Sequence, residues 1–488
     1  MAHDSSSLSY AVRGSFLLKY FGLFCLVVAG LTLFPLGLSL FCGETPISLR
    51  YVIVICGLAG LGSALVRLRV STHMQVNEAM VLAALLFLFM PLVMAYPMMG
   101  GELNYLDALF EAISGATTTG LSTIQKIEEM PQTFLFARAW MQWYGGLGIV
   151  LLSLALVVRP GLVAKALGGT EAKDEDLIGS TKAHARRVLV VYLLLTGAGI
   201  LLLWLLKARP FDAVVYSLAS VSTGGFAPHT DSLSGLGRLP IQIGVTLICL
   251  AGATPLVLYE RFHRKRPHLR TDILQLRTVL LMGVVISLLL GLCLHLAGNL
   301  PWSQILHHTP LLAFSAQTTA GFSTLDLSQL DAASKLVLIV AMVVGGGIGS
   351  TAGGFKVMRL LIGIQALRVL VLRASLARHA VFEPRLAGYR LEEAEIREAL
   401  LIMMLFVVVI VFSWLPFIVM GYDPLDSLFE VASATGTVGL SVGLTSSQLP
   451  GLLKGILCVD MLMGRLEIIA WFLVLTPRTW VGRRLSLS

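Results

Sequence analysis

Four short stretches of this sequence could hold a dehydrated cation. Each reads Thr-x-Gly followed by Leu or Phe: Thr118-Thr119-Gly120-Leu121, Thr223-Gly224-Gly225-Phe226, Thr319-Ala320-Gly321-Phe322 and Thr437-Val438-Gly439-Leu440. None carries a side chain suited to acid–base or nucleophilic work. They offer backbone carbonyl oxygens, which replace an ion's hydration shell when several such segments converge. Glycine suits that task because it takes left-handed dihedrals that cost other residues roughly 1–2 kcal/mol. One Thr-x-Gly is a weak signal in a chain with 47 glycines. Here the four share a register. Four residues before each Thr stands a small residue (Ser114, Ala219, Ser315, Ser433), and eleven before it stands Asp107, Asp212, His308 or Asp426. The stretch between reads as an apolar helix of about three turns at 3.6 residues per turn. The key glycines recur roughly every 100 residues, enough for two membrane crossings and a half-helix at ~1.5 Å per residue.

The elements that must position these segments are membrane helices. Of 488 residues, 56% are hydrophobic and 13% charged, about half the charge of a soluble domain. Apolar runs at 51–66, 79–98, 188–206, 278–296, 400–420 and 452–475 approach or exceed the ~20 residues that cross a bilayer. An earlier run, 16–41, is too long for a signal core and reads as a retained helix, so no signal peptide is expected. Lys and Arg cluster in 159–187, 261–277 and 368–397 and again at Arg478, Arg483 and Arg484. The positive-inside rule places these clusters and both termini in the cytoplasm. The segments 104–132, 211–237, 302–333 and 423–450 then lie outside, poor in charge and holding the Thr-x-Gly motifs. Partial re-entry into the membrane accounts for that composition. Ordinary external loops with glycine turns leave the shared register unexplained. The predicted fold is an all-α integral membrane protein: four pseudo-repeated helix–pore loop–helix units around one pore, plus an N-terminal extra helix pair. The expected boundaries are 1–76 for the pair, then 77–187, 188–273, 274–395 and 396–488 for the repeats. The Asp at the start of each short helix is expected to cap it, leaving the negative helix end directed at the membrane centre.

Two further features stand out. Residues 345–356 (GGGIGSTAGGFK) interrupt the second helix of the third repeat with a run too glycine-rich for a firm helix. It is not a phosphate loop, since Lys356 is followed by Val, and no strand precedes it as a dinucleotide fingerprint requires. It is a flexible loop or a kink that packs helices closely. Arg465 lies inside the last apolar run, where a charge costs roughly 2.5–3.5 kcal/mol and usually faces a polar cavity. Its alternatives are the pore or a pairing with Asp460 or Glu467. The six cysteines form no CxxC pair and read as small apolar residues. The histidines have no metal-site spacing, and nothing suggests an enzyme, an organic cofactor or a nucleic-acid partner.

These residues resemble the Trk/Ktr/HKT superfamily of potassium transporters, TrkH/TrkG branch, over nearly the whole chain. The carriers of the resemblance are the four Thr-x-Gly segments, residues 140–148 (WMQWYGGLG), 345–356 and 463–467 (MGRLE), and the extra N-terminal pair. The fourth segment, Thr435-Gly436-Thr437-Val438-Gly439, is closer to the Ktr pattern. The resemblance implies a selectivity filter binding potassium at the carbonyls of Thr118, Thr119, Gly120; Thr223, Gly224, Gly225; Thr319, Ala320, Gly321; and Thr437, Val438, Gly439. Glycine at all four key positions implies potassium rather than sodium. It implies a gate built from Gly345, Gly346, Gly347, Gly349, Ser350, Thr351, Gly353, Gly354 and Lys356, with Arg465 raising the barrier beneath the filter. It further implies a homodimer in the bacterial inner membrane, docking a cytosolic TrkA-like ring of nucleotide-binding regulatory subunits on the surface that includes 165–187 and 374–398. A sodium/potassium or proton-coupled symporter of the same fold is the alternative. A coupled organic-solute transporter is disfavoured, because its repeats would be inverted rather than parallel.

Overall fold

The computed structural model describes residues 11–70, 75–156, 174–264, 269–298, 301–375, 383–466 and 468–481. Among these the chain is almost wholly helical. The exception is a hairpin of two-residue strands, β1 (Arg385–Leu386) and β2 (Tyr389–Arg390), in the expected cytoplasmic connection.

Two long helices open the chain, α1 (Gly14–Phe41) and α2 (Thr45–Val66). They approach so closely that a Cβ on Gly62 would overlap the Gly22 carbonyl oxygen and the Leu26 side chain. Small residues at a helix crossing allow this contact in a membrane, where dispersion replaces the hydrophobic effect as the driving force.

Four units follow, each a long helix, a short helix and a second helix. They are α3 (Val76–Met98), α4 (Tyr105–Ala116) and α5 (Gln132–Leu156); α6 (Asp174–Leu205), α7 (Pro210–Val221) and α8 (Leu239–Ala253); α10 (Leu269–Leu296), α11 (Trp302–Gln317) and α12 (Ala332–Val344); and α14 (Glu393–Val419), α15 (Pro424–Thr435) and α16 (Gly451–Arg465). Among the described residues six helices are long and apolar enough to span a bilayer: the N-terminal pair and the first helix of every unit. These first helices present apolar side chains outward, among them Leu288 and Phe412, each 69% exposed. Lipid is the solvent such a surface requires. The short helices α4, α7 and α15 have 12 residues each, about half a crossing at ~1.5 Å per residue.

The second helices of the last three units all break. α8 ends at Ala253 before Pro255, which has no N–H to continue a helix, and α9 (Leu256–Arg264) resumes the chain. α12 ends at Gly345, whose φ is +71°, and α13 (Val357–Ser375) resumes after the glycine-rich loop. α16 ends at Arg465, and α17 (Ile469–Leu475) and α18 (Pro477–Trp480) follow. The apolar run 452–475 is therefore not one helix, and Arg465 stands at a helix C-terminus rather than mid-helix. The turn there is held by Ile468 in a left-handed conformation (φ +54°) and by the Trp471 indole, which donates to Leu462 O at 3.0 Å. Glu467, the other expected partner of Arg465, lies outside the described residues, as do Lys165 and Lys173 of the first basic cluster.

The α1–α2 contact predicts that Gly62→Leu forces the two backbones apart. Overpacking of this kind costs about 1–3 kcal/mol, read as a lower unfolding midpoint in detergent; an unchanged midpoint would mean the pair does not need this close approach.

Candidate functional site

The four short helices end identically. In each, the Thr of the motif adopts the left-handed conformation, with φ of +54° at Thr118, +51° at Thr223, +56° at Thr319 and +49° at Thr437. Its N–H bonds the carbonyl three residues back, and the next N–H bonds the carbonyl five back: Thr118 N to Gly115 O (3.0 Å) with Thr119 N to Ser114 O (2.9 Å), and Thr437 N to Ala434 O (3.0 Å) with Val438 N to Ser433 O (2.9 Å). The same pairs recur at Thr223 and Gly224, and at Thr319 and Ala320. This is a Schellman ending, normally given to glycine. A β-branched residue there is a genuine outlier, strained by about 1–3 kcal/mol and tolerated where surrounding structure over-determines it. The ending turns the chain so that the next carbonyl reaches the key glycine of a neighbouring unit.

Those four carbonyls each meet a neighbouring unit. The α-carbon of Gly120 lies against Gly224 O, that of Gly225 against Ala320 O, that of Gly321 against Val438 O, and that of Gly439 against Thr119 O. Each unit thus rests its key glycine on the carbonyl of the next, and the fourth closes on the first. A Cβ at any of the four would overlap that oxygen, and all four glycines have positive φ (+94°, +80°, +71°, +94°). The twelve residues expected to act together, 118–120, 223–225, 319–321 and 437–439, are brought together.

Buried polar side chains hold the ring's outer wall. Glu111, in α4, accepts from Ser122 Oγ (2.7 Å) and Thr123 N (2.9 Å); its second oxygen is 2.9 Å from the Arg138 guanidinium, which also covers the Phe226 ring at 3.8 Å. Glu430, at the same place in α15, accepts from Ser441 Oγ (2.5 Å), Val442 N (3.0 Å) and Thr445 Oγ1 (2.7 Å). In α7 that place is Tyr216, whose hydroxyl donates to Ser232 O at 2.7 Å. The stretch between motif and upstream Asp is therefore not uniformly apolar. A glutamate nine residues before the key glycine, in two of the four units, was the legible signal. Ser114 and Ser433 accept from the key N–H groups of Gly120 and Gly439, both at 3.0 Å.

The upstream acids do not cap. Asn104 and Asp423 cap α4 and α15, while Asp107 and Asp426 are third in their helices and pair across units. Lys454 of α16 meets Asp107 at 2.5 Å and Lys335 of α12 meets Asp426 at 2.5 Å. At the corresponding place in α8, Gln242 meets His307, beside His308, at 3.2 Å. Asp212 instead meets His229 of its own unit at 3.5 Å. In both acid–lysine pairs, a second helix reaches the short helix of the next unit. Sequence could not show this, because the partners lie 347 and 91 residues apart.

The glycine-rich loop lies beneath the ring and is buried from Gly345 to Phe355. It covers the broken end of α8, with Gly347 N donating to Ala253 O and Thr351 N to Gly252 O, both 3.1 Å. It also touches three ring threonines: Thr351 Oγ1 lies 3.3 Å from Thr223 Oγ1, Gly353 N donates to Thr319 Oγ1 at 2.6 Å, and the Gly353 α-carbon lies against Thr437 Oγ1. Gln317 and Gln275 hold it from the sides, at Gly345 O (2.7 Å) and Ile348 N (2.8 Å). Ser350 turns back on Gly347 O (2.6 Å), Gly346 packs on Ala352, Gly349 O accepts from Leu256 N (3.1 Å), Gly354 N donates to Gly436 O (3.0 Å) and Lys356 Nζ bonds Ala352 O. Arg465 donates to Thr351 O at 2.8 Å, while its Nε and Nη2 find no hydrogen-bond partner among the described residues. Asp460 is not its partner; it accepts from Ser413 Oγ at 2.5 Å.

The buried Lys454–Asp107 pair predicts that Lys454→Met leaves an uncompensated carboxylate and costs about 3–5 kcal/mol. Adding Asp107→Asn should recover much of that in detergent unfolding. A single variant as stable as the parent would remove the pair from the structure's support.

Comparison with known proteins follows the same lines. The family model TrkH, described as cation transport protein, matches residues 46–478. An uncharacterised cation transporter of Methanocaldococcus jannaschii is 29% identical over 449 residues, covering 91% of each chain. The Trk system potassium uptake protein TrkI of Halomonas elongata is 30% identical over 405 residues, covering 81% of each. The crystal structure of the potassium transporter TrkH from Vibrio parahaemolyticus superposes with a TM-score of 0.84 at 24% identity, covering 96% of this chain and all of that one, and so shares the fold. A multi-pass helical membrane protein with a four-unit carbonyl ring, matched to this model over most of its length, belongs to the TrkH family of cation transport proteins.

Proposed function

We propose that this chain carries potassium into the cell through the ring. The observation that supports the reading is the closed contact of four key glycines on four carbonyls, at the convergence of four helix C-termini. Carbonyl dipoles and helix ends of that sign favour a cation there. In this reading Thr118–Gly120 and its three counterparts form the selectivity filter, and the Thr118 and Thr437 hydroxyls, unpartnered among the described residues, are free for the ion. The relatives whose names state potassium uptake favour potassium over sodium. Flux runs downhill, driven by a membrane potential worth ~2.3 kcal/mol per charge per 100 mV.

The loop from Gly345 to Lys356 is the gate in this proposal, since it lies against three of the four ring threonines and must move for an ion to pass. Arg465 holds it by Thr351 and places positive charge on the path. The chain divides into a helix pair at 1–76 and repeats at 77–187, 188–273, 274–395 and 396–488. It works as a homodimer in the bacterial inner membrane, with both termini and a TrkA-like ring of nucleotide-binding subunits on the cytoplasmic side.

Uptake of radioactive rubidium into proteoliposomes tests the cargo. Excess potassium should abolish it and excess sodium should not; equal competition would defeat the potassium assignment. Deleting 348–354 should raise uptake severalfold, and Arg465→Ala should raise it as well. Unchanged uptake in both would remove the gate.

A further inference from the structure

The ring is closed but not four-fold. Among the described residues, no side chain donates to three of its carbonyls, Thr119 O, Ala320 O and Val438 O, whereas Gly224 O receives the Gln142 carboxamide. Gln142 is fully buried in α5. Its Nε2 donates to Gly224 O, and its Oε1 accepts from Phe226 N at 3.1 Å. Two opposed hydrogen bonds fix the amide's orientation and grip the Gly224–Phe226 rung at both ends.

Two independent features show that the site is built for this grip. The first is Gly224. The middle residue of the motif is Thr, Ala or Val in the other units and glycine only here, and a Cβ on Gly224 would overlap the Gln142 carboxamide. The second is the helix. Residues at the place of Gln142 in α8, α12 and α16 are Cys249, Met342 and Met461, none of which offers an amide. α5 is itself pinned: the Trp140 indole donates to Leu31 O (2.9 Å), the Trp143 indole to Thr196 Oγ1 (2.9 Å), and Tyr192 donates to Trp143 O (2.9 Å). Gly145 rests on Ala116 O, which brings the helix against the ring's outer wall.

We propose that Gln142 is a positioning residue that sets ion specificity by holding the repeat-two rung at a fixed distance from the axis. This rests on the potassium reading above. A smaller cation pays more for dehydration and is accepted only if the ligands close in or present a stronger field. Gln142 opposes both. It prevents the rung from moving inward, and its N–H occupies one of the two lone pairs of Gly224 O, lowering the field that oxygen offers the ion.

The test measures how sodium and potassium each compete with rubidium uptake in proteoliposomes, for the parent chain, Gln142→Met and Gln142→Leu. Gln142→Met removes both bonds at similar volume. Gln142→Leu removes both as well, with a branched apolar side chain. Both should retain uptake and shift the sodium-to-potassium competition ratio toward sodium by about fivefold, the scale of one lost hydrogen bond. A folded variant of either kind with the parent's ratio overturns the proposal, as does failure of both to fold, which would make Gln142 a stability residue. If the parent itself fails to discriminate, the potassium reading falls and this inference with it; a discriminating parent with equally discriminating variants removes this inference alone.

Discussion

Four carbonyl oxygens, each packed against a key glycine of the neighbouring unit, crowd one ring, and backbone carbonyls buried there without a donor are groups that water cannot satisfy. Each such group costs several kcal/mol in hydrocarbon unless protein or a ligand partners it. Much of the structure around the ring follows from that constraint. The helix endings supply the turn, at the expense of left-handed threonines. The glycines supply clearance, since a side chain at any of the four would collide with the next unit's carbonyl. The polar side chains in the wall supply the hold. Glu111 and Glu430 grasp the chain leaving the ring, and Gln142 grasps it within the ring.

The hold is also circumferential. Lys335 and Lys454 each tie a second helix to the short helix of the following unit, while Gln242 reaches His307 in the same sense. A buried ion pair contributes little net stability over an apolar pair of the same shape, because desolvation consumes the attraction. Its value here is geometric: each pair fixes one unit's position relative to the next. The first pair-site departs from the pattern, since Asp212 turns to His229 of its own unit. At that same boundary between the first two units Gln142 makes its contact with the ring. The two asymmetries fall on one seam.

Below the ring, three broken second helices create the space into which the glycine-rich loop fits. Helix ends expose carbonyls that need donors, and the loop's N–H groups meet them at Gly252 and Ala253. Most of the segment is held by buried hydrogen bonds, with Ile348 and Phe355 as its large apolar anchors. Arg465 adds a single charged contact to Thr351 O.

Sequence alone determined the class and the count. Composition required a membrane helix protein, and four Thr-x-Gly motifs in register required four units, because both are set by short-range chemistry repeated along the chain. It also placed the glycine-rich loop, since no glycine run of that kind stays helical. What it misassigned or left open depended on contacts between distant residues. Asp107 and Asp426 read as helix caps until Lys454 and Lys335 came against them. Arg465 read as mid-helix because apolarity continues to Leu475, while the break is made by packing around Ile468 and Trp471. Gln142 entered only within 140–148, a stretch that carried the family resemblance. Periodicity reports which face of a helix is apolar, and it cannot report which carbonyl of another unit that face will meet. Only the tertiary closure of the ring decided that.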